Sequence, residues 1–320
     1  MHSHVYVHDV MPLIRDHKEA DPDTLAAMAT GPMALDGNTI DARFREMDRQ
    51  GVDVHVISVH PGQYHYWADE TASAEIVRIQ NEKVAETAAR HADRFQALGN
   101  ISLAHPALAV SQMDHAVSQL NMRGFIIGCS VNGDELTNSK FEPFWKKAEQ
   151  LGVVIFLHPV GAAAADSKRY AGAGYLANTL GNPLETTIAL SHMIFEGFLD
   201  RYPGLRLLAA HGGGFLPSYV GRSDNCNTVR DDCRRMQRKP SDYLRGPQLF
   251  FDALVYTPEN IRHLVATVGA NRVVVGSDFA FDVHSRRPVD SILEMPGLSD
   301  ADRIAILGGT AEGLLKRRPA

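Results

Sequence analysis

The sequence predicts an α/β protein with a mainly parallel sheet covered by helices, either an open doubly wound sheet or a closed (β/α)8 TIM barrel. Two observations carry this. Seven short apolar runs rich in β-branched residues alternate along the 320 residues with stretches of helical periodicity. Six of those seven runs also lead into histidine or aspartate, far apart in sequence, and a barrel gathers the C-terminal ends of its strands on one face. Seven strands favour the barrel if one more has gone unseen, and its natural place is ahead of the first run.

The elements follow in order. The chain opens MHSHVYVHDV, in which His2 and His4 lie one residue apart; on a strand that spacing turns both rings to one face. A Gly/Pro/Ala-rich loop at about 20–38 leads to Ile40, Phe44 and Met47, spaced as on a helix, with Gly51 as the stop. The seven runs are VDVHVISV (52–59), FQALGNISL (95–103), GFIIGCS (124–130), VVIFL (153–157), LRLLAA (205–210), QLFFDAL (248–254) and RVVVGS (272–277). Between them, Ser139 and Glu142 form a capping box ahead of FWKKAEQL, and Ile188, His192, Phe195 and Leu199 form a helical stripe. Thr257 caps a further helix that has Pro258 at its first position. No linker or low-complexity segment interrupts the series, so residues 1–320 read as a single barrel domain with an inserted loop at about 20–38.

Composition narrows the function classes. With 44% hydrophobic and 22% charged residues the chain can bury a large core. A formal net charge of -6 and a pI near 6.2 lack the basic surface that nucleic acid or an anionic membrane would need, which leaves a small-molecule or protein partner as the expectation. No apolar run approaches the roughly 20 residues that span a bilayer, and the opening lacks the regions of a signal peptide, so the expected compartment is the cytoplasm. Cys129, Cys226 and Cys233 are an odd count without close C-x-x-C spacing and read as reduced, buried thiols.

The strand ends carry the chemistry. VISV runs into His60-Pro61, ISLA into His105-Pro106, VIFL into His158-Pro159, LLAA into His211, FF into Asp252 and VVVGS into Asp278. Titratable groups are costly inside an apolar barrel, so their place at strand ends reads as functional. Imidazole suits zinc and similar divalent metals, and His2, His4, His158 and Asp278 would supply the ligands of a catalytic site with a position left open. His211 stands in AAHGGGFLPSYVGR, where three glycines allow a tight turn and leave space beside the ring; it reads as a general acid/base. His60 is a candidate for substrate contact, and His192, on its apolar stripe, reads as packed.

HSH at the start, REMDRQGVDVHVISV, GNPLETTIAL, RYPGLRLLAAHGGGFLPSYVGR, FFDAL, RVVVGSDFAF and ILGGTAEGLL together resemble the amidohydrolase superfamily, over nearly the whole chain and in the same order. Within it they resemble the branch typified by 2-amino-3-carboxymuconate semialdehyde decarboxylase and γ-resorcylate decarboxylase. The resemblance implies a (β/α)8 barrel of the metal-dependent hydrolase type, one divalent metal, zinc first and manganese second, and a homodimer. It maps the ligand set onto His2, His4, His158 and Asp278 and the AHGGG histidine onto His211. SVHPGQYHYWADE resembles the muconate enzymes' loop after the second strand, which makes Tyr64 and Trp67 candidates to line the pocket. Two departures set this chain apart: His158-Pro159-Val160-Gly161 stands where muconate enzymes read HPWD, and GPMALDGNTIDA carries no arginine where they place one for substrate. In the family several residues precede the HxH pair, whereas here only Met1 does, so the first strand reads as truncated; an apolar extension upstream is expected to raise metal occupancy.

The expected activity is a metal-dependent, non-oxidative decarboxylation of an aromatic or unsaturated carboxylic acid, with Asp278 or His211 shuttling the proton. Arg222, just after the Gly-rich turn, is a candidate to pair with a second substrate carboxylate or to form a surface ion pair. The rivals are a metal-dependent hydrolase of a lactone or amide, a hydratase of an unsaturated acid, and a non-catalytic binding protein on a barrel scaffold.

Overall fold

The strand that the seven apolar runs leave unaccounted for lies within the opening residues. In the computed structural model, which describes residues 1–20, 22, 24–26, 31–160 and 167–316, β1 (Ser3–Val5) pairs in parallel with β2 (His55–Val59), His4 opposite Ser58. His2 therefore stands just ahead of β1 and His4 at its middle, and both rings are buried. Part of the loop expected at about 20–38, and Gly161 of the turn after His158, lie outside the described residues.

Among the described residues, eight parallel strands form the barrel wall. β3 (Phe95–Ala97) continues the β1-β2 sheet, and β4 (Gly124–Gly128) begins a second one. A short hairpin, β5 (Ser130–Val131) with β6 (Asp134–Glu135), follows outside the ring. Then come β7 (Val154–His158), β8 (Arg206–Ala209), β9 (Leu249–Asp252) and β10 (Val273–Val274). The two sheets run β1-β2-β3 and β10-β9-β8-β7-β4. Single parallel bridges, Ser3 with Phe279 and Gly99 with Phe125, join them into a closed ring. One continuous apolar core reaches from Val5 through Phe125, Phe156 and Phe251 to Leu314. No helix among the described residues is long and apolar enough to cross a membrane.

Several elements differ from their sequence reading, each for a physical reason. The run 95–103 is a strand only to Ala97, because the amides of Asn81 and Gln80 take up the backbone N–H and side chain of Asn100 and draw the chain off the ladder. Ser139 does not cap the next helix: Asn138 caps a short 3-10 turn, and the α-helix begins at Glu142. The helix Asn182–Phe195 buries Glu185, Ala189, Leu190, Met193 and Ile194, a face rotated from the stripe read through Ile188, so His192 is only half-buried and bonds Glu196 at 2.6 Å. Cys226 and Cys233 are only half-buried and are joined as a disulfide with Cα atoms 6.2 Å apart, leaving Cys129 as the buried free thiol. Thr257 caps its helix by accepting from Asn260 N, and Asp36 caps Gly37–Arg49.

The tightest point in the ring is between β4 and β7. A Cβ on Gly124 would stand 2.1 Å from the Val154 carbonyl oxygen, which is backbone and cannot step aside. Gly124→Ala should therefore lower the free energy of unfolding by about 1–3 kcal/mol or more, the usual cost of overpacking. Urea unfolding of the variant beside the parent checks this; equal midpoints would mean the two strands can separate locally.

Candidate metal centre and active site

Three imidazoles and one carboxylate converge where β1, β7 and the segment after β10 open on one face. One ligand atom from each of His2, His4, His158 and Asp278 lies within 4.8 Å of the others, and all four residues are buried. The His2 and His4 Nε2 atoms are 3.0 Å apart, and each approaches Asp278 Oδ1, at 3.1 and 3.2 Å. His158 Nε2 has no hydrogen-bond partner in the protein.

The far side of each ring explains this arrangement. His2 Nδ1 is 2.7 Å from Asp252 Oδ2, His158 Nδ1 is 2.7 Å from the Pro159 carbonyl, and His4 Nδ1 is 3.4 Å from the Val59 carbonyl. With an acceptor at every Nδ1, the proton of each neutral ring is held there, and the Nε2 lone pairs face one another. Three lone pairs and a carboxylate in one dry pocket repel unless a cation sits among them. Carbonyl and carboxylate partners behind histidine ligands are also how metal sites fix ring orientation. The group thus fits one divalent metal ion.

Without a cation, the pocket's electrostatics are in conflict. Burial disfavours the His2 imidazolium, but Asp278 and Asp252 outweigh it and raise its pKa to about 9. Burial, and then the neighbouring imidazoles of His4, His2 and His211, hold His158 well below the usual histidine range. Burial opposes the Asp278 carboxylate, yet the imidazoles of His2, His211 and His4 around it hold its pKa well below the carboxylate range. The site is built for a carboxylate and a positive charge beside it.

His211 sits across from the ligands. Its Nε2 is 3.5 Å from Asp278 Oδ2, the oxygen not shared with His2 and His4, and its Nδ1 has no partner. Its backbone is left-handed (φ 53°) at the head of a 3-10 turn, His211–Gly213. The turn needs its glycines: a Cβ on Gly212 would meet Val255 Cγ1 at 2.5 Å, and one on Gly214 would meet the Pro183 carbonyl at 2.0 Å. Two cavities, of about 570 Å³ and 300 Å³, both border His211 and Asp278.

Of the other candidates, His60 borders the smaller cavity, its ring 4.7 Å from Tyr6 and 4.8 Å from Phe281. Tyr64 is buried beside Tyr66, and Trp67 stacks on His17 at 3.9 Å; neither borders the two cavities. Arg222 is exposed on the helix Leu216–Val229 and borders neither cavity. His105 is occupied by the Ala68 carbonyl at 2.9 Å. Sequence reasoning left Asp252 without a role, although its strand-end position in FFDAL is a signal. It also passed over Arg43, fully buried, whose Nη2 donates to the His4 carbonyl at 2.6 Å while its guanidinium lies 4.8 Å over the Phe279 ring. Glu185, also passed over, accepts from Val160 N in the turn after His158.

Three measurements test these assignments. Metal analysis should find His158→Ala and Asp278→Ala depleted relative to the parent; undiminished metal in both would remove them as ligands. Asp252→Asn keeps the ligand atoms but weakens the hold on His2, and should lower metal affinity by about 10–100-fold in a chelator competition. Burial pushes the Glu185 carboxyl up to about 7, against the Val160 N–H that lowers it. A raised folded pKa favours the protonated form, so this stability is fully present below the unfolded value near 4.5 and is lost as pH rises through about 7. Glu185→Gln should therefore match the parent at pH 5 and exceed it at pH 8 by on the order of 1–3 kcal/mol in unfolding experiments. A difference that does not change between the two pH values would mean the carboxyl is not held neutral.

The chain is 28% identical over 273 residues to 2-amino-3-carboxymuconate-6-semialdehyde decarboxylase of Dictyostelium discoideum, covering 85% of this chain and 75% of that protein. The fold matches 5-carboxyvanillate decarboxylase of Sphingomonas paucimobilis with a TM-score of 0.87 at 22% identity, over 99% and 98% of the two chains. It also matches the dihydroxybenzoic acid decarboxylase of Polaromonas sp. JS666, solved with bound manganese, with a TM-score of 0.82 at 22% identity over 98% and 95%. The amidohydrolase family model matches residues 1–317, and the chain belongs to the amidohydrolase family.

Proposed function

We propose that this chain is a metal-dependent, non-oxidative decarboxylase, a carbon–carbon lyase acting on an aromatic or unsaturated carboxylic acid. The observation that carries the reading is the Asp278 carboxylate, which faces the ligand imidazoles with one oxygen and His211 with the other and borders two cavities. His2, His4, His158 and Asp278 would hold the ion. When bound, it supplies a Lewis acid for a substrate oxygen and a counter-charge for the carboxylate. Three imidazole nitrogens and one carboxylate favour zinc by ligand type, with manganese, the ion of the Polaromonas structure, as the alternative.

The protein's own task is to move one proton. Decarboxylation adds a proton to the carbon that bears the carboxylate; the carbon–carbon bond then breaks, its electrons return to the ring or double bond, and carbon dioxide leaves. Asp278 Oδ2 and His211 Nε2 face each other and form the pair through which that proton is delivered. His60 meets the substrate from the smaller cavity. The reading extends to a single barrel domain over residues 1–320 that works as a homodimer in the cytoplasm.

Metal-loaded protein incubated with aromatic carboxylic acids and, separately, with lactones should release carbon dioxide from the acids and leave the lactones closed. His211→Asn should lower kcat by about 10²–10⁴-fold, the usual share of a general acid/base, with metal content unchanged. Ring opening without carbon dioxide would make the chain a hydrolase.

A further inference from the structure

The helix Leu216–Val229 is anchored unevenly. Phe215, Pro217 and Ser218 at its start border the larger cavity, but Leu216 and Pro217 are its only buried residues, and Val229 at its end is 64% exposed. So short a buried face supplies little of the packing that normally holds a helix. Its last turn is held instead by a clasp. Cys226 is joined to Cys233, Asn227 Nδ2 donates to the Cys233 carbonyl at 2.8 Å, and the Arg234 guanidinium donates to the carbonyls of Asn227 and Thr228. Both cysteines are half-buried, so small reagents reach them from solvent.

The surroundings of the pair are basic and hollow. Residues 222–239 carry six arginines and lysines against three aspartates, in a protein of net charge -6. Such a local excess draws in anions and favours a thiolate over a thiol. A cavity of about 270 Å³, lined by Ser191, His192, Phe195, Glu196, Asp232 and Arg235, lies at the same turn, and Asp232 is next to Cys233 in sequence. Arg235 offers a fork for a carboxylate, while Asp232 and Glu196 offer acceptors for an ammonium. Together they complement an amino-acid zwitterion.

We propose that Cys226 and Cys233 are a reversible thiol–disulfide modification site, exchanged with a low-molecular-weight disulfide that carries amino-acid groups. The Cys233 thiolate attacks one sulfur of that disulfide: a bond forms to Cys233, the reagent's own sulfur–sulfur bond breaks, and one thiolate leaves. The amino-acid part stays in the cavity beside Cys233. Cys226 then gives its proton to water and attacks the Cys233 sulfur, which forms the protein disulfide and releases the second thiolate. The two cysteines lose two electrons and the reagent gains them, so no other oxidant is needed. The Cα separation of 6.2 Å lies within the usual span of a disulfide, so the backbone admits the closed form. In a reducing compartment, the one proposed for this chain, disulfides are transient and redox-sensing. Closed, the bond adds a covalent tie to the clasp on a helix that begins at the larger cavity; open, the clasp keeps only its hydrogen bonds. The site is independent of the decarboxylase reading and of the metal centre.

The test incubates reduced, zinc-loaded protein with oxidised glutathione or with the uncharged bis(2-hydroxyethyl) disulfide, traps the remaining thiols with iodoacetamide and maps them by peptide mass. After division by the rates for free cysteine, oxidised glutathione should close the pair about tenfold faster, the worth of one hydrogen bond to a charged group. Arg235→Ala should remove most of that advantage, and Cys226→Ser should retain one glutathione on Cys233. Excess reduced glutathione should reopen the bond in the parent. Amide hydrogen exchange over residues 223–230 should slow by about threefold or more when the bond closes. A pair that stays open in oxidised glutathione, a bond that reduced glutathione leaves closed, equal corrected rates for the two disulfides, or equal exchange in the two forms would each overturn the proposal.

Discussion

One buried carboxylate joins the two halves of the site. Asp252, at the end of β9, takes the Nδ1 proton of His2 on one side, and the backbone N–H groups of His211, Gly212 and Leu254 on the other. A charge with no exposure to solvent survives only when its lone pairs are met, and four donors meet them here. The same oxygens therefore fix which nitrogen of His2 faces the metal and where the His211 turn begins. Ligand geometry and proton-transfer geometry are not independent: a shift of Asp252 moves both.

The ring closes at its weakest points where the ligands stand. Between β1 and β10 there is no continuous ladder: beside the bridge from Ser3 to Phe279, the Met1 amine donates to the Val275 carbonyl at 2.8 Å, His4 N to the Phe279 carbonyl at 2.5 Å, and Ser277 N and Asp278 N to the His2 carbonyl at 3.3 and 3.0 Å. His2 and His4 lie on one side of this seam and Asp278 on the other, so a metal bound by all three would staple it from within. Arg43 reinforces it from outside, one amino group on the His4 carbonyl and the guanidinium face on Phe279. Burial without a carboxylate partner lowers the Arg43 pKa to about 9. That is a large penalty for a residue that touches no substrate, and it is consistent with a closure that backbone pairing alone does not secure.

What could be read in the sequence depended on how local its cause was. Strand ends were legible because a histidine or aspartate after an apolar run is conspicuous wherever the run folds, and His158, His211 and Asp278 needed only the barrel to be brought together. His2 and His4 were legible as a pair because period-two spacing survives even in a strand of three residues. Asp252 could be seen but not assigned, since its partners, 40 to 250 residues away, are set by the closure of the ring. Arg43 looked like any surface arginine on an amphipathic helix; only the seam beside it makes it a buried one. Residues 98–103 misled because apolar letters outnumber the two side-chain amides that decide where the strand ends.

The two residues placed in the proton pair are also both strained. His211 and Asp278 have left-handed backbones, φ 53° and 61°, a conformation that costs residues with a Cβ on the order of 1–3 kcal/mol. Relaxing either would turn its side chain off the common axis, and each is prevented by a bond on its own amide: His211 N–H to Asp252 and Asp278 N–H to the His2 carbonyl. The strain is thus set against the same contacts that orient the ligands. A less strained backbone at 211 or 278 would be easy to obtain with glycine, but glycine carries neither imidazole nor carboxylate. The chain keeps the reactive groups where the mouth of the barrel demands them, and the stability so lost is recovered in the polar network around Asp252.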